Sequence, residues 1–512
     1  MFPRSPLRSG ANPQKLPGDF LHRIATLLIV AVPAALLILA EHTANGAEPA
    51  RRPNVVVIFA DDLGYGSLGC YGAPQAMIRT PNIDRLAREG RRFTDASSTA
   101  SVCTPSRYSL LTGCYCWRTS LKRDALTTLA PLLMQPGRLT LASLLHGCGY
   151  RTAAIGKWHL GYGTAARADF TQPLRPGPLE VGFDEHFGVP ANHGDVTGIY
   201  VENDHVAGLR STTLAPTGAK NRAGGRYLGI DAPQRVDDQV MQVLTSKAAE
   251  WIEAQDRSRP FFLYYAPVAV HEPITPPTQT SGTSGIGPFG DWIHELDRSV
   301  GQLLDALDRR GFADNTLVVF SSDHGGVYEP QQHRPETDAI NAGFSPNGPF
   351  RGGKLSVWEG GFRVPLVVRW PGHVPAGTRS DEMLSLVDVL ATVAALIGEP
   401  LPPPADGAED SYDMSAAWLG RPHSPIRPDM IDHSCDGNFV LREGAWKYIE
   451  GQPAASTPAR IVKIRKKEFV RALYNLADDP HEEHNVLAEH ADLADRLQAR
   501  LDAERARGST RP

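Results

Sequence analysis

Residues 54–62 have the sequence NVVVIFADD, in which an apolar, β-branched run leads directly into two adjacent acids. An uninterrupted run of this kind is typical of a β-strand that is buried on both faces of a sheet. Asp61 and Asp62 then follow the carboxyl end of that strand, where open α/β sheets form their binding sites. Because adjacent carboxylates repel each other unless a positive charge binds them, the pair predicts a site for a hard cation. Solvated acids on a surface turn are the alternative for this pair taken alone.

Similar apolar runs recur along the chain and alternate with amphipathic stretches. Strands are predicted at residues 151–155, 261–270, 316–321 and 364–370, and helices at 81–89, 240–254, 292–307 and 384–397. Strands that alternate with helices predict an α/β fold with a large, mostly parallel or mixed sheet sandwiched by helices. The large domain is expected to cover residues 51–420.

The pattern changes after the proline-rich residues 400–407. Short strands are predicted at 439–441, 446–449 and 472–476, followed by a polar amphipathic helix at 493–505. This order predicts a small C-terminal subdomain over residues 425–512, built from an antiparallel sheet with a helix.

The bulk composition argues against several classes of protein. The 512 residues carry a formal net charge of −5, so no nucleic-acid partner is expected. The six cysteines are too few at this length for a disulfide framework. The sequence also lacks paired Cys-x-x-Cys motifs, which argues against structural zinc.

The first 47 residues have the order of a secretory signal peptide. Basic residues precede an apolar run over 24–40, and the small residues Ala44, Gly46 and Ala47 follow it. This order predicts export to the periplasm or medium, with no stable membrane span after cleavage. An uncleaved membrane anchor is the alternative.

A second acidic corner follows the predicted strand at 316–321. Asp323 and His324 come directly after this strand, and Gly325 and Gly326 allow the backbone to turn sharply. If the two strands are neighbours, both corners can converge on one metal ion.

A third motif, Cys103-Thr-Pro-Ser-Arg107, continues to Leu-Thr-Gly113. Pro105 suits the first turn of a helix, which places Cys103 at a helix N-terminus that favours anions. Arg107 lies one turn further along the same helix. A buried, small apolar residue is the alternative for an isolated cysteine.

The Cys-x-Pro-Ser-Arg motif with its downstream Leu-Thr-Gly resembles the signature of the type I sulfatases. These formylglycine-dependent, arylsulfatase-like enzymes belong to the alkaline phosphatase superfamily. Further blocks of the same family occur in family order at residues 80–86, 156–161, 352–361 and 473–485. The resemblance implies an alkaline phosphatase-like fold and a sulfuric ester hydrolase, and it covers residues 53–490.

The resemblance also implies roles for individual residues. A separate maturation enzyme would oxidise Cys103 to formylglycine (3-oxoalanine), and Arg107 would hold the product. The sequence departs from many relatives at Cys114, where they have arginine. One calcium ion per chain would be bound by Asp61, Asp62, Asp323, His324 and the modified Cys103. Lys157, His159, His271 and Lys354 match positions that contact the sulfate or shuttle protons.

These residue types suit the hydrolysis of a sulfate ester. The cation and the lysines can stabilise charge on the sulfate oxygens, and Asp323 can act as general base. His271 would protonate the leaving alcohol. A hydrated aldehyde has two hydroxyls, so one can attack sulfur and His159 can deprotonate the other to expel sulfate.

The expected substrate is a sulfated small molecule or glycan. His193, Asp195 and His433 are candidates for contact with a sugar, with ordinary surface loops as the alternative. The basic residues 460–471 could line a groove for a sulfated polysaccharide, with a solvated edge strand as the alternative. Two other functions remain open: a phosphate or phosphonate monoester hydrolase on the same fold, and a catalytically inactive secreted binding protein.

Overall fold

The computed structural model describes residues 51–217, 219–220, 225–329, 334–453 and 469–512. The predicted signal peptide lies outside the described residues, as does most of the basic stretch at 460–471. None of the helices within the described ranges combines the length and apolar character needed to cross a bilayer. The predicted boundary between a large domain and a C-terminal subdomain stays a prediction.

The structure contains the following strands. They are β1 (Asn54–Ala60), β2 (Arg91–Phe93), β3 (Ala96–Ser97), β4 (Arg151–Lys157), β5 (Glu185–Val189), β6 (Val201–Glu202), β7 (His205–Val206), β8 (Phe261–Ala266), β9 (Thr316–Ser322), β10 (Leu366–Arg369), β11 (Thr378–Ser380), β12 (Leu384–Ser385), β13 (Met430–His433), β14 (Phe439–Glu443), β15 (Trp446–Pro453) and β16 (Phe469–Asn475).

The α-helices lie between and after these strands. They are α1 (Pro81–Glu89), α2 (Cys103–Thr112), α3 (Leu141–Gly147), α4 (Val240–Glu253), α5 (Pro288–Arg310), α6 (Pro335–Asn341), α7 (Glu359–Phe362), α8 (Val389–Leu396), α9 (Ser415–Trp418) and α10 (Ala491–Ala506).

A mixed sheet of ten strands in the described chain has the order β11-β2-β10-β9-β1-β8-β4-β5-β6-β7. Its centre is parallel, because β1 pairs in parallel with β8 and β9, and β4 pairs in parallel with β8 and β5. The carboxyl ends of these central strands therefore lie along one edge of the sheet. The predicted α/β fold with a large mixed sheet is confirmed.

Strand β1 is buried along its whole length because both faces of the sheet are covered. Val55, Val57 and Phe59 belong to one core, to which helix α2 contributes Tyr108 and Leu111. The alternate residues of β1 belong to a second core, formed with helices α4 and α5.

A small antiparallel sheet follows, with the order β13-β14-β15-β16. One face packs against α10, where Leu497 and Leu501 join a core with Tyr448. The other face packs against α7, where Phe362 joins a core with Ile449. The predicted C-terminal antiparallel sheet with a helix is therefore present, and it contacts the segment between β9 and β10 of the large sheet.

Several predicted bounds differ from those in the structure, and two of the differences have a clear physical reason. Strand β8 ends at Ala266 rather than continuing to residue 270, since Pro267 has no N–H to donate to a neighbouring strand. Helix α8 begins at Val389 rather than near 384, because Asp388 accepts a hydrogen bond from the Ser385 N–H and shapes a short turn before the helix.

Candidate active site

Two acidic corners meet where neighbouring strands end. Ala60 of β1 is paired with Ser322 of β9, so the residues after each strand leave the sheet at the same level. The Asp62 N–H donates to Asp323 Oδ1 over 3.1 Å, which joins the corners directly. Asp62 has a φ of 60°, a left-handed conformation that few non-glycine residues adopt. The condition set by the sequence, that these strands be neighbours, is met.

Four predicted ligand residues form one buried cluster. Asp62, Cys103, Asp323 and His324 each offer a ligand atom, and these atoms all lie within 4.8 Å of one another. His324 Nε2 lies 3.4 Å from Cys103 Sγ and 3.2 Å from Asp62 Oδ1. Carboxylate, imidazole and thiol groups are all metal ligands, so the donor set suits a divalent cation.

Asp61 lies outside this set of four, and its role as a metal ligand stays a prediction. Both of its carboxylate oxygens accept hydrogen bonds of 2.8 Å from Lys157 Nζ. Arg107 Nη2 donates to Asp61 Oδ1 over 3.1 Å and to Asp323 Oδ2 over 2.8 Å. Arg107 is fully buried. Its guanidinium joins the two acidic corners through these two ion pairs.

Charges in the site are balanced within the protein. The buried acids Asp61, Asp62 and Asp323 are offset by Lys157, Lys354 and Arg107. Burial opposes the ionisation of Asp62, but Lys354, His271 and His324 together outweigh it and lower the pKa of Asp62 to about 2. A bound dication would therefore add a surplus of positive charge, which an anionic substrate would neutralise.

The charged groups of the site also shift the pKa values of His324 and Cys103. Burial would lower the pKa of His324, but Asp323 and Asp62 raise it to about 9. Burial opposes ionisation of Cys103, but Lys157 and Lys354 outweigh it and lower the pKa of its thiol.

Cys103 is the first residue of helix α2, as predicted, and it is buried. No side chain caps this helix end, which leaves its N–H groups available to an anion. The next residue, Thr104, donates from Oγ1 to the carbonyl of His159 over 3.0 Å. This contact joins the start of the helix to the segment that follows β4.

His159 is buried, and its carbonyl contacts the first turn of α2. Its Nε2 lies 2.9 Å from the Leu126 carbonyl, whereas Nδ1 is buried and has no partner among the described residues. Burial and the nearby Lys157 lower the pKa of His159 to about 3. The ring is therefore neutral, with one nitrogen free to accept a proton or a hydrogen bond.

His271 and Lys354 lie on the Asp62 side of the cluster. Lys354 Nζ donates to the two carboxylate oxygens of Asp62 over 2.9 and 2.6 Å. His271 Nε2 lies 3.9 Å from Asp62 Oδ2, and Nδ1 lies 2.6 Å from the Glu272 carbonyl. The structure thus brings all ten predicted site residues to one edge of the sheet.

The three candidates for contact with a sugar are all buried. His193 Nε2 lies 2.9 Å from Thr275 Oγ1, and Asp195 forms an ion pair of 3.1 Å with Arg235. His433 lies within β13, and its Nδ1 is 3.0 Å from the Ser434 carbonyl. Their contact with a substrate stays a prediction.

One residue that supports the site was missed in the sequence. Asn347 accepts from the Gly326 N–H over 2.7 Å and donates to the Gly352 carbonyl over 2.8 Å. It thereby ties the His324 corner to the Lys354 loop. Only its place in the turn-forming Ser-Pro-Asn-Gly stretch at 345–348 could have drawn attention to it.

The chain is similar to known sulfatases along most of its length. The family profile named Sulfatase matches residues 53–399. The N-acetylgalactosamine-6-O-sulfatase of Bacteroides thetaiotaomicron is 33% identical, with 90% of this chain and 95% of that protein covered. Human arylsulfatase A is 34% identical, with 87% of this chain and 85% of that protein covered.

Solved structures show the same likeness. One, described under the metabolism of multiple glycosaminoglycans by Bacteroides thetaiotaomicron, has a TM-score of 0.81 and 33% identity, covering 90% of this chain and all of its own. A sulfatase from Pseudoalteromonas sp. has a TM-score of 0.71 and 26% identity, covering 90% of this chain and 91% of its own.

Proposed function

Because this chain belongs to the sulfatase family of sulfuric ester hydrolases, we propose that it removes sulfate from sulfated carbohydrates. In this proposal the nucleophile is a formylglycine made from Cys103 by a maturation enzyme, and one calcium ion is bound beside it. The single observation that supports this most is the convergence of Asp62, Asp323, His324 and Cys103 within 4.8 Å. Glycan substrates are supported by one similar solved structure, which is described under the metabolism of multiple glycosaminoglycans. It is 33% identical and covers 90% of this chain.

The residues of the chain would hold and neutralise the sulfate group. Lys157 and Lys354 are the two ammonium groups beside the cluster, and each is now paired with an acid that a metal ion would share. Calcium would add charge stabilisation on the sulfate oxygens and lower the pKa of a hydroxyl at position 103. Arg107 would keep Asp61 and Asp323 in place through its hydrogen bonds to both carboxylates.

Proton transfer is assigned to three side chains. Asp323 stays ionised because His324 and Arg107 outweigh its burial and hold its pKa well below the usual range, so it can accept a proton. His271, on the Asp62 side, would protonate the leaving alcohol. Neutral His159, with its free Nδ1, would accept the proton whose removal expels sulfate.

Calcium is expected to stabilise the fold through this cluster. Added at 100 times its Kd to chelator-treated protein, it should contribute about 2.7 kcal/mol, seen as a rise in Tm. Asp62→Asn should remove most of that rise, since it deletes a ligand charge. Asp297→Asn is the matched control, because Asp297 is equally buried but binds the start of α1. An equal rise in wild type and Asp62→Asn would contradict the assigned site.

The reaction class is tested with a panel of aryl esters. We expect kcat/KM for an aryl sulfate to exceed that for the matching phosphate and phosphonate monoesters. A preference for either phosphorus ester would favour the alternative hydrolase. Absence of turnover on every ester by formylglycine-bearing, calcium-loaded protein would favour the binding protein.

Export is part of the proposal. The predicted signal peptide over residues 1–47 would be removed on transport. N-terminal sequencing of the protein recovered from the periplasm or medium should begin close to residue 48.

A further inference from the structure

We propose that the C-terminal sheet positions Lys354 through a buried ion cluster formed by Glu359, Lys447 and Glu482. This inference rests on the proposed function, in which Lys354 contacts the sulfate. Lys447 Nζ lies 3.0 Å from Glu359 Oε1 and 2.7 Å from Glu482 Oε1. The side chains of all three are at most 1% exposed. Glu359 belongs to the Lys354 segment, whereas Lys447 and Glu482 belong to the C-terminal part of the chain.

The C-terminal residues hold both ends of the segment that contains Lys354. At its end, the Glu359 N–H donates to Glu482 Oε2 over 2.7 Å. At its start, Arg351 Nη1 donates to the Glu482 carbonyl over 2.5 Å, and His481 Nδ1 lies 2.6 Å from the Pro349 carbonyl. One residue, Glu482, therefore binds the loop on both sides of Lys354 through its side chain and its backbone.

The loop is closed between these ties by its own backbone. The Gly360 N–H donates to the Arg351 carbonyl over 2.8 Å, which brings the two ends together. A Cβ at Gly360 would lie 2.5 Å from that same oxygen, so only glycine allows the approach. A cation–π contact adds to this closure, since the guanidinium of Arg351 lies 4.3 Å from the ring centroid of Trp358.

The loop that contains Lys354 also contacts the backbone of the residues that follow His324. The Lys354 N–H donates to the Gly326 carbonyl over 3.0 Å, and the Gly325 N–H donates to the Gly361 carbonyl over 3.0 Å. Lys354 Nζ then reaches Asp62. A shift of the loop at Glu359 would thus move the ammonium group and the residues next to His324 together.

Electrostatics explain why Lys447 is needed for this geometry. Without its ammonium group, Glu359 and Glu482 would be neighbouring buried carboxylates that repel each other. Glu359 would remain paired with Arg363 at 2.5 Å, so the repulsion would displace Glu482 and the loop ends that it binds. Lys447 and Glu482 are therefore positioning residues that act through Lys354.

The test is a double-mutant cycle between Lys447→Met and Lys354→Ala, with kcat and KM measured on an aryl sulfate. In the wild-type background we expect Lys447→Met to lower kcat/KM by about 10- to 100-fold, as a 1 Å misplacement can. In the Lys354→Ala background the same change should cost less than about twofold, because the group it positions is absent. Equal factors in both backgrounds would overturn the positioning role.

A matched control lies on the other face of the same sheet. Arg500→Met also removes a cation from two carboxylates, Asp429 at 2.5 Å and Glu443 at 2.7 Å, without touching the Lys354 loop. Its effect on kcat/KM should be small and equal in both backgrounds. A coupling to Lys354 as large as that of Lys447→Met would show a general loss of stability and overturn the proposal.

A second variant tests the proposal in the event that Lys447→Met folds poorly. The double replacement Lys447→Met with Glu482→Gln removes both charges and leaves Glu359 paired with Arg363, so it should fold. Because it also removes the repulsion that would displace the loop, we expect its kcat/KM to lie between those of Lys447→Met and wild type, and no gain over Lys447→Met would overturn the proposal. If Lys354→Ala alone leaves kcat/KM unchanged, the role of Lys354 in the proposed function fails instead.

Discussion

Replacement of Cys103 by serine is expected to stop steady-state turnover while still allowing one sulfate to be transferred to the protein. A serine at this position has one hydroxyl, so after attack on sulfur no second hydroxyl remains from which sulfate can be expelled. We expect kcat to fall by at least about 10⁴-fold, in line with the loss of other catalytic nucleophiles. Intact-mass measurement after incubation with an aryl sulfate should show the gain of one sulfo group.

Cys114→Ser is the matched control for this change. Cys114 is also buried and lies just beyond the same helix, but it has no part in the cluster. Its replacement should leave kcat within about threefold of wild type, because it removes little packing and no reacting group. Turnover by Cys103→Ser within tenfold of wild type would contradict the assigned nucleophile.

Asp323→Asn is expected to lower kcat/KM by about 10³-fold, the loss seen when preorganised charge is removed from an active site. The change removes a carboxylate from the four-residue cluster and leaves Arg107 with one buried acid instead of two. We expect weaker metal binding and a shift of the second acidic corner. The measurement is kcat/KM on an aryl sulfate across a range of calcium concentrations.

Two outcomes separate this effect from a general loss of stability. Asp297→Asn should retain near wild-type kcat/KM, since Asp297 binds backbone N–H groups of α1 and lies outside the site. Full activity of Asp323→Asn at any calcium concentration would contradict a catalytic or metal-binding role. Recovery of part of the activity at high calcium would support the role as a ligand.

Much of the fold could be predicted because the decisive signals are local. Strand β1 was predicted at Asn54–Ala60 and helix α1 at Pro81–Glu89, with the bounds that the structure gives. An apolar run and a proline-started helix need no long-range information. Short strands at or near the ends of the large sheet, such as β6 and β11, were not predicted, because their two or three residues have no periodicity of their own.

The two acidic corners and Cys103 could be found in the sequence because they follow predicted strands or start a predicted helix, whereas Lys157, His159, His271 and Lys354 were indicated only by the family resemblance. Which of these side chains bind one another could not be predicted from the sequence. That Asp61 would be bound by Lys157 and Arg107, apart from the four-residue cluster, depends on side-chain geometry across strands β1 and β4. The Glu359–Lys447–Glu482 cluster was missed for a similar reason, since its members are far apart in sequence and each has the pattern of a surface charge.

Mass spectrometry of the peptide that contains residue 103 tests the central claim most directly. The protein should be produced in its native host or together with a formylglycine-generating enzyme. The account predicts a mass about 18 units below that of the cysteine peptide, because oxygen replaces sulfur with loss of hydrogen. A peptide with the full mass of unmodified cysteine, from protein that nonetheless hydrolyses an aryl sulfate, would contradict it.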